Sequence, residues 1–205
     1  GKDGRTKVGV LGMATDEFEG DAIDDEAVQA TAFAVARVSH EMANRTRVGL
    51  IAVRRDGRGS LAPPDDSNST FGVDGQVGVG QYGLIKGFVA QTDTPGVEGE
   101  DHAYLLEGNY SSSAWRLGLE YSEVGGEFNP EVGFVRRSDY RKPQAFVQRR
   151  FRPADFLGIR DIRPRIFYAS YWNFDGFHES EFIWLATDFE WRNGYRLEMG
   201  VSEEL

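Results

Sequence analysis

The sequence predicts an all-β fold: an antiparallel up-and-down meander of about eleven long strands, forming part of a transmembrane β-barrel. Three observations carry this expectation. Apolar residues recur at every second position, the strands are long, and long and short connections alternate between them. The alternation is cleanest in three places. Phe71, Val73, Gly75, Val77 and Val79 lie opposite Thr70, Gly72, Asp74, Gln76 and Gly78. Trp115, Leu117, Leu119 and Tyr121 lie opposite Arg116, Gly118 and Glu120. Tyr195, Leu197, Met199 and Val201 lie opposite Arg196, Glu198, Gly200 and Ser202.

In chain order, the first strand is expected over 6–15. The segment 24–44 is Ala-rich and places Val28, Ala32, Val35 and Met42 at helical spacing, so composition alone favours a helix there. Its alternative is a strand over about 30–42, with Phe33, Val35 and Arg37 alternating against Ala34, Ala36 and Val38. Less regular strands are expected over 46–55, 82–92, 102–111, 144–151, 163–172 and 177–191. Lys86 interrupts one of these, and the run from Phe182 to Ala186 is apolar on both faces. Asp175-Gly176 and Asn193-Gly194 are the dipeptides that two-residue hairpin turns prefer.

With the strand over 30–42 included, the connections 16–29, 56–68, 93–101 and 123–138 are long. Those at 43–45, 80–81 and 112–113 are short. Short turns at one rim and long loops at the other belong to an outer-membrane barrel. Beyond residue 150 the pattern weakens, because the connection 152–162 is too long and the turn 173–176 too short. Strands of about 9–13 residues exceed the usual 5–6 and suit a tilted bilayer crossing. Trp115 and Tyr121 bracket Leu117 and Leu119 as an aromatic belt would.

Composition narrows the remaining classes. The 205 residues carry 33 acidic and 23 basic side chains, a net charge of −10, which disfavours nucleic acid as a partner. Absence of cysteine excludes disulfides, thiolate metal sites and a cysteine nucleophile. The 25 glycines, 14 Phe, 8 Tyr and 4 Trp favour strands and turns. No apolar run approaches the roughly 20 residues of a spanning helix. The chain opens at Gly1 and stops at Leu205 in strand-like sequence, and is expected to be one barrel domain, or a fragment of one, over 1–205 without an internal boundary.

Chemistry-bearing residues are sparse. The acidic run Asp16, Glu17, Glu19, Asp21, Asp24, Asp25 and Glu26 lacks the order of a calcium loop and reads as a solvated loop. So does Pro63-Pro64-Asp65-Asp66 with Ser67-Asn68-Ser69. His40, His102 and His178 are too far apart for a local metal motif, and no G-x-S-x-G nucleophile elbow occurs. The glycines between Gly75 and Gly80 precede no helix and are strand glycines. No catalytic residue, metal or cofactor is assigned.

The most distinctive stretch is Glu127-Phe128-Asn129-Pro130-Glu131-Val132-Gly133-Phe134-Val135-Arg136-Arg137. Asn129 and Pro130 suit a tight turn, after which Arg136 and Arg137 are expected to fold back onto carboxylates as a plug or constriction, with a ligand-binding loop or a catalytic loop as the alternatives. This stretch resembles the signature of a bacterial family of outer-membrane-type β-barrel domains with unassigned function. That domain usually follows a family-9-like carbohydrate-binding module, in proteins often labelled membrane-associated hydrolases. Phe33 to Val38, Arg47 to Ile51, Phe71 to Asp74 and Trp115 to Leu117 with Tyr121 resemble it too.

The resemblance implies a barrel segment in the outer membrane of a Gram-negative-type bacterium, and it favours the strand over 30–42. Phe128, Asn129, Pro130, Gly133, Phe134, Arg136 and Arg137 become the binding or structural motif. The implied partners are the outer-membrane bilayer, a saccharide and other chains that complete the barrel, with an anchor, pore-wall or scaffold role. Two other functions stay open: a soluble glycan-binding β-module using Trp172 or Trp184, and a glycoside or ester hydrolase. Eleven strands is an odd number, whereas single-chain bacterial barrels have even ones.

Overall fold

The computed structural model describes residues 2–3, 5–20, 27–154 and 156–205. It is all-β, with the strands antiparallel and in chain order within one sheet. The strands are β1 (Lys2–Asp3), β2 (Thr6–Thr15), β3 (Ala30–Glu41), β4 (Arg47–Arg58), β5 (Ser67–Val79), β6 (Gly83–Asp93), β7 (His102–Ser111), β8 (Trp115–Val124), β9 (Tyr140–Arg149), β10 (Ile159–Trp172), β11 (His178–Trp191) and β12 (Arg196–Glu204). Eleven are long and β1 is a two-residue stub. No helix occurs among the described residues. The sheet is open, with β1 and β12 at its edges.

The helix that composition favours over 24–44 is a correction. Residues 24–26 lie outside the described residues, and most of the remainder forms β3, bonded to β2 on one side and β4 on the other. The alanines are the small members of one strand face. Ala32, Ala34 and Ala36 oppose Ala14, Gly12 and Val10, while Phe33, Val35 and Arg37 occupy the other face. Ladder bonds and face packing override the helical propensity of alanine.

Two compact units are distinguished, and their boundary passes through β5–β8 rather than through a linker. The first contains 1–76, 88–104 and 124–139. Its register places Val10, Ala36, Ala52 and Phe71 in one cross-strand row and Val8, Val38, Leu50 and Val73 in the next. Successive side chains point to opposite faces of a strand. The other face therefore carries Arg37, Gly49, Asp74, Arg55 and Asn68, with Arg37 bonded to Asp74 at 2.5 Å.

The second unit contains 77–87, 105–123 and 140–205. Val147, Ile166, Leu185 and Val201 form an apolar row, and Met199 and Leu197 continue it toward the 192–195 turn. The opposite face carries Arg163, Asp188 and Glu198 in one row and Gln148, Arg165, Ala186 and Gly200 in another. Gly200 packs closely there: a Cβ would sit 3.0 Å from Ala186 Cβ and from Trp184 Nε1, so a side chain would need its neighbours to shift by a few tenths of an ångström.

Burial is inverted relative to a protein folded by hiding apolar side chains from water. Among the described residues the buried apolar ones are Ala103, Ile159, Ala169 and Ala186, three of them alanine. Asn68, Thr92, Ser170, Glu123, Gln148, Asp161 and Glu190 are among the more numerous buried polar ones. Val10, Leu119 and Val201 are 80%, 67% and 69% exposed.

Candidate functional site

The loop 125–139 returns to the polar face of the first unit. Gly125 starts it, where a Cβ would fall 1.9 Å from the Glu100 carbonyl oxygen. The Gly125 N–H donates to the His102 carbonyl at 2.8 Å and the Glu127 N–H to that of Glu100 at 3.1 Å. Asn129 makes the main attachment through its backbone. Its N–H donates to Thr92 Oγ1 at 3.3 Å, and its carbonyl accepts from Asn68 Nδ2 at 2.9 Å. Asn68 also donates to Thr94 Oγ1 at 2.8 Å. Asn68 and Thr92 are almost wholly buried.

Beside this attachment, Arg55 joins two loops. Its guanidinium bonds Asp66 through both terminal nitrogens, and its Nε lies 3.1 Å from Glu131. Gln29 donates a further bond to Asp66 at 2.5 Å. The hydrogen bonds from Arg55 and then Gln29 hold the Asp66 carboxyl below its ordinary value, against an opposing effect of burial. At the neighbouring loop Glu17 accepts from the Ser60 hydroxyl at 2.6 Å and the Leu61 N–H at 3.2 Å. Those two bonds likewise lower its pKa.

The predicted motif is therefore divided. Asn129 is bonded into the sheet, and Phe128 and Pro130 are half-buried beside it. Gly133 closes a turn onto the Pro130 carbonyl at 2.7 Å. Phe134 is 85% exposed, and Arg136 and Arg137 are exposed. The loop's ion pair to the sheet uses Glu131, a residue the sequence reading did not single out. A second correction concerns Ser67-Asn68-Ser69, which begins β5 and is not an exposed loop. Of the acidic run, residues 21 and 24–26 lie outside the described residues. Among the described residues no cluster is arranged to hold a metal ion.

The second unit carries an arginine–carboxylate lattice. Asp161 lies 3.0 Å from Arg152 and 3.6 Å from Arg160. Glu190 is reached by Arg160, by Arg163 at 3.2 Å and by Arg196 at 3.2 Å. Arg165 bonds both Asp188 and Glu198. On the same unit Glu120 pairs with Lys142 at 2.6 Å, and Glu107 with Lys86 at 2.8 Å. The sequence reading did not single out Arg160, Arg163 and Arg165, and their carboxylate partners required the register.

Two arrangements bear on hydrolysis and glycan binding. Ser170 Oγ lies 3.0 Å from His178 Nε2, and Glu181 lies 3.9 Å from that same nitrogen. A serine nucleophile needs access to substrate and an acid on the other imidazole nitrogen, and Ser170 is fully buried. Trp172 is stacked on His178 at 4.5 Å between centroids, and Arg165 covers the Trp184 ring at 4.5 Å.

No protein-family model, curated protein or solved structure matches this chain.

Proposed function

We propose that this chain is a non-enzymatic wall segment of an outer-membrane β-barrel, serving as anchor, pore wall or scaffold for a saccharide-binding surface protein. The observation that carries it is the reversed placement of polarity: exposed apolar rows on one strand face, ion pairs and buried polar groups on the other. In water, a sheet with one apolar face buries that face against a second layer. All strands among the described residues belong to a single sheet. In a bilayer, lipid chains cover the apolar face and the polar face lines an interior.

Aromatic placement supports the same assignment. Tyr110 packs edge-on against Tyr82 at 5.8 Å, and Arg149 covers Trp115 at 4.7 Å and Phe151 at 4.8 Å. Six residues along β8, Tyr121 donates its hydroxyl to Glu123 at 2.8 Å. At about 3.3 Å per residue, roughly 20 Å of strand separates the two rings. Tilted by about 40°, that span covers about 15 Å of the ≈25 Å apolar band between aromatic girdles.

The loop 125–139, bonded over the polar face through Asn129 and Glu131, then acts as a constriction or plug rather than a catalytic loop. The saccharide association and the Gram-negative outer-membrane location rest on the family resemblance of residues 127–137. Extraction tests the core of the proposal. The chain is expected to leave membranes only with detergent; a monodisperse monomer in detergent-free buffer overturns it.

A further inference from the structure

The turn between β7 and β8 borders a small polar cavity. It has a volume of about 110 Å³, and its polar lining comes from Ser111, Ser112, Ser113, Arg116, Gln148 and Arg150. No carboxylate lines it. Every one of these side chains can donate a hydrogen bond.

Two of the donors are weakly partnered. Gln148, 7% exposed as a residue, lines the cavity beside them. The Arg116 guanidinium lies 5.9 Å from the Phe146 ring centroid and forms no ion pair among the described residues. Arg150 reaches only Asp161, at 3.9 Å, a carboxylate that Arg152 and Arg160 approach more closely. Two cations, the Gln148 amide and a serine turn thus line one space that no carboxylate lines, the nearest negative charges being Asp161 beside Arg150 and Glu107 and Glu120, which share the adjoining pocket with Arg116. The chain's overall charge of −10 makes this a local exception rather than part of a basic surface.

We propose that this cavity binds one tetrahedral oxyanion, a phosphate or sulfate group, between Arg116 and Arg150. Gln148 and the serine hydroxyls donate to the remaining oxygens. The donors outnumber what the two oxygens of a carboxylate need, and the volume admits the anionic group but not a nucleotide or sugar chain. Charge-assisted bonds from paired guanidiniums are the strong contacts in such sites. All of these residues lie in one unit, so the site does not depend on what covers the apolar face.

Isothermal titration of the full folded chain with inorganic phosphate tests this, in detergent or in buffer, whichever keeps the chain folded. Saturable binding of one phosphate per chain, displaced by sulfate, is expected. Arg116→Gln and Arg150→Gln should each weaken it about tenfold or more. Arg58→Gln, at an exposed arginine of β4, should leave it unchanged. Gln148→Glu keeps both cations and should abolish binding, with circular dichroism confirming the strand content. Competition by glycerol phosphate identifies a headgroup phosphate as the occupant, and its absence a free anion; both require the same arginines. No saturable binding, or an equal loss with Arg58→Gln, overturns the site.

Discussion

Arg55 holds the loop region of the first unit more than any other residue. Its side chain reaches Asp66 at the end of one loop and Glu131 in another. Arg55→Ala leaves two carboxylates without their cation, which costs roughly 1–3 kcal/mol when the groups are partly buried. The urea midpoint of the detergent-folded chain should fall accordingly, and residues 125–139 should become sensitive to limited proteolysis. Asn68→Ala should act in the same direction, because it strands the Asn129 carbonyl and Thr94 Oγ1. An unchanged midpoint in both variants contradicts the attachment.

The same contacts set a pH dependence. Asp66 and Glu17 ionise below their ordinary values of 3.8 and 4.5 in the folded chain. A carboxyl with a depressed folded pKa stabilises the fold above its unfolded value and loses that contribution as pH falls through the folded one. Protection of the backbone amides across 59–66, taken relative to their intrinsic exchange at the same pH, should therefore be high near neutral pH and fall below about pH 4. In Asp66→Asn, protection there should be lower at neutral pH and respond less to acid.

Residue identity alone concealed these roles. Ser67-Asn68-Ser69 has the composition of an exposed loop, and only pairing with Arg54, Arg55 and Asp56 across β4 explains its burial. Asn129 was singled out for turn geometry, but its backbone groups make the bonds. Glu131 was unremarkable in the sequence because its partner is far away in the chain.

Among the elements, β8 shows most clearly what period-two alternation encodes. Leu117 and Leu119 occupy its apolar face, while Glu120 on the other face bonds Lys142. Leu119→Arg is expected to reduce the free energy of folding into lipid vesicles by about 2–4 kcal/mol if the residue lies near the bilayer midplane. In water, a residue 67% exposed tolerates the same change with little effect. Folding yield into vesicles against urea, measured for Leu119→Arg and wild type, separates the two outcomes. A cost within about 0.5 kcal/mol contradicts lipid exposure.

Strand positions were largely legible, since 6–15 and 102–111 fall at the bounds of β2 and β7. β3 was ambiguous for a physical reason: alanine has the highest helix propensity yet also provides a small strand face beside Gly12. β9 and β10 begin several residues before their clearest alternation. Tyr140, Arg141 and Lys142 in β9, and Asp161 in β10, are polar residues held in strand by ladder bonds and ion pairs.

At the scale of the whole molecule, an open sheet leaves rows of backbone N–H and C=O groups along its edges, a state the hydrocarbon region does not accept. A barrel wall therefore requires the edge formed by β1 and β2 to be joined to β12, directly or through further strands. Eleven long strands among the described residues is an odd count, whereas single-chain bacterial barrels have even ones. The charge pattern was legible at this scale once faces were assigned. The acidic excess that suggests an ordinary soluble surface is spread over loops and over the ion-paired strand face.

The absence of cysteine permits the most direct test of lipid exposure. Single cysteines at Arg116, Leu117, Gly118, Leu119 and Glu120, labelled with an environment-sensitive fluorophore in vesicles, should report opposite environments at successive positions. Residues 117 and 119 should be quenched by lipid-borne spin labels, and 116, 118 and 120 by an aqueous quencher. Uniform aqueous quenching at all five positions contradicts a membrane-spanning wall.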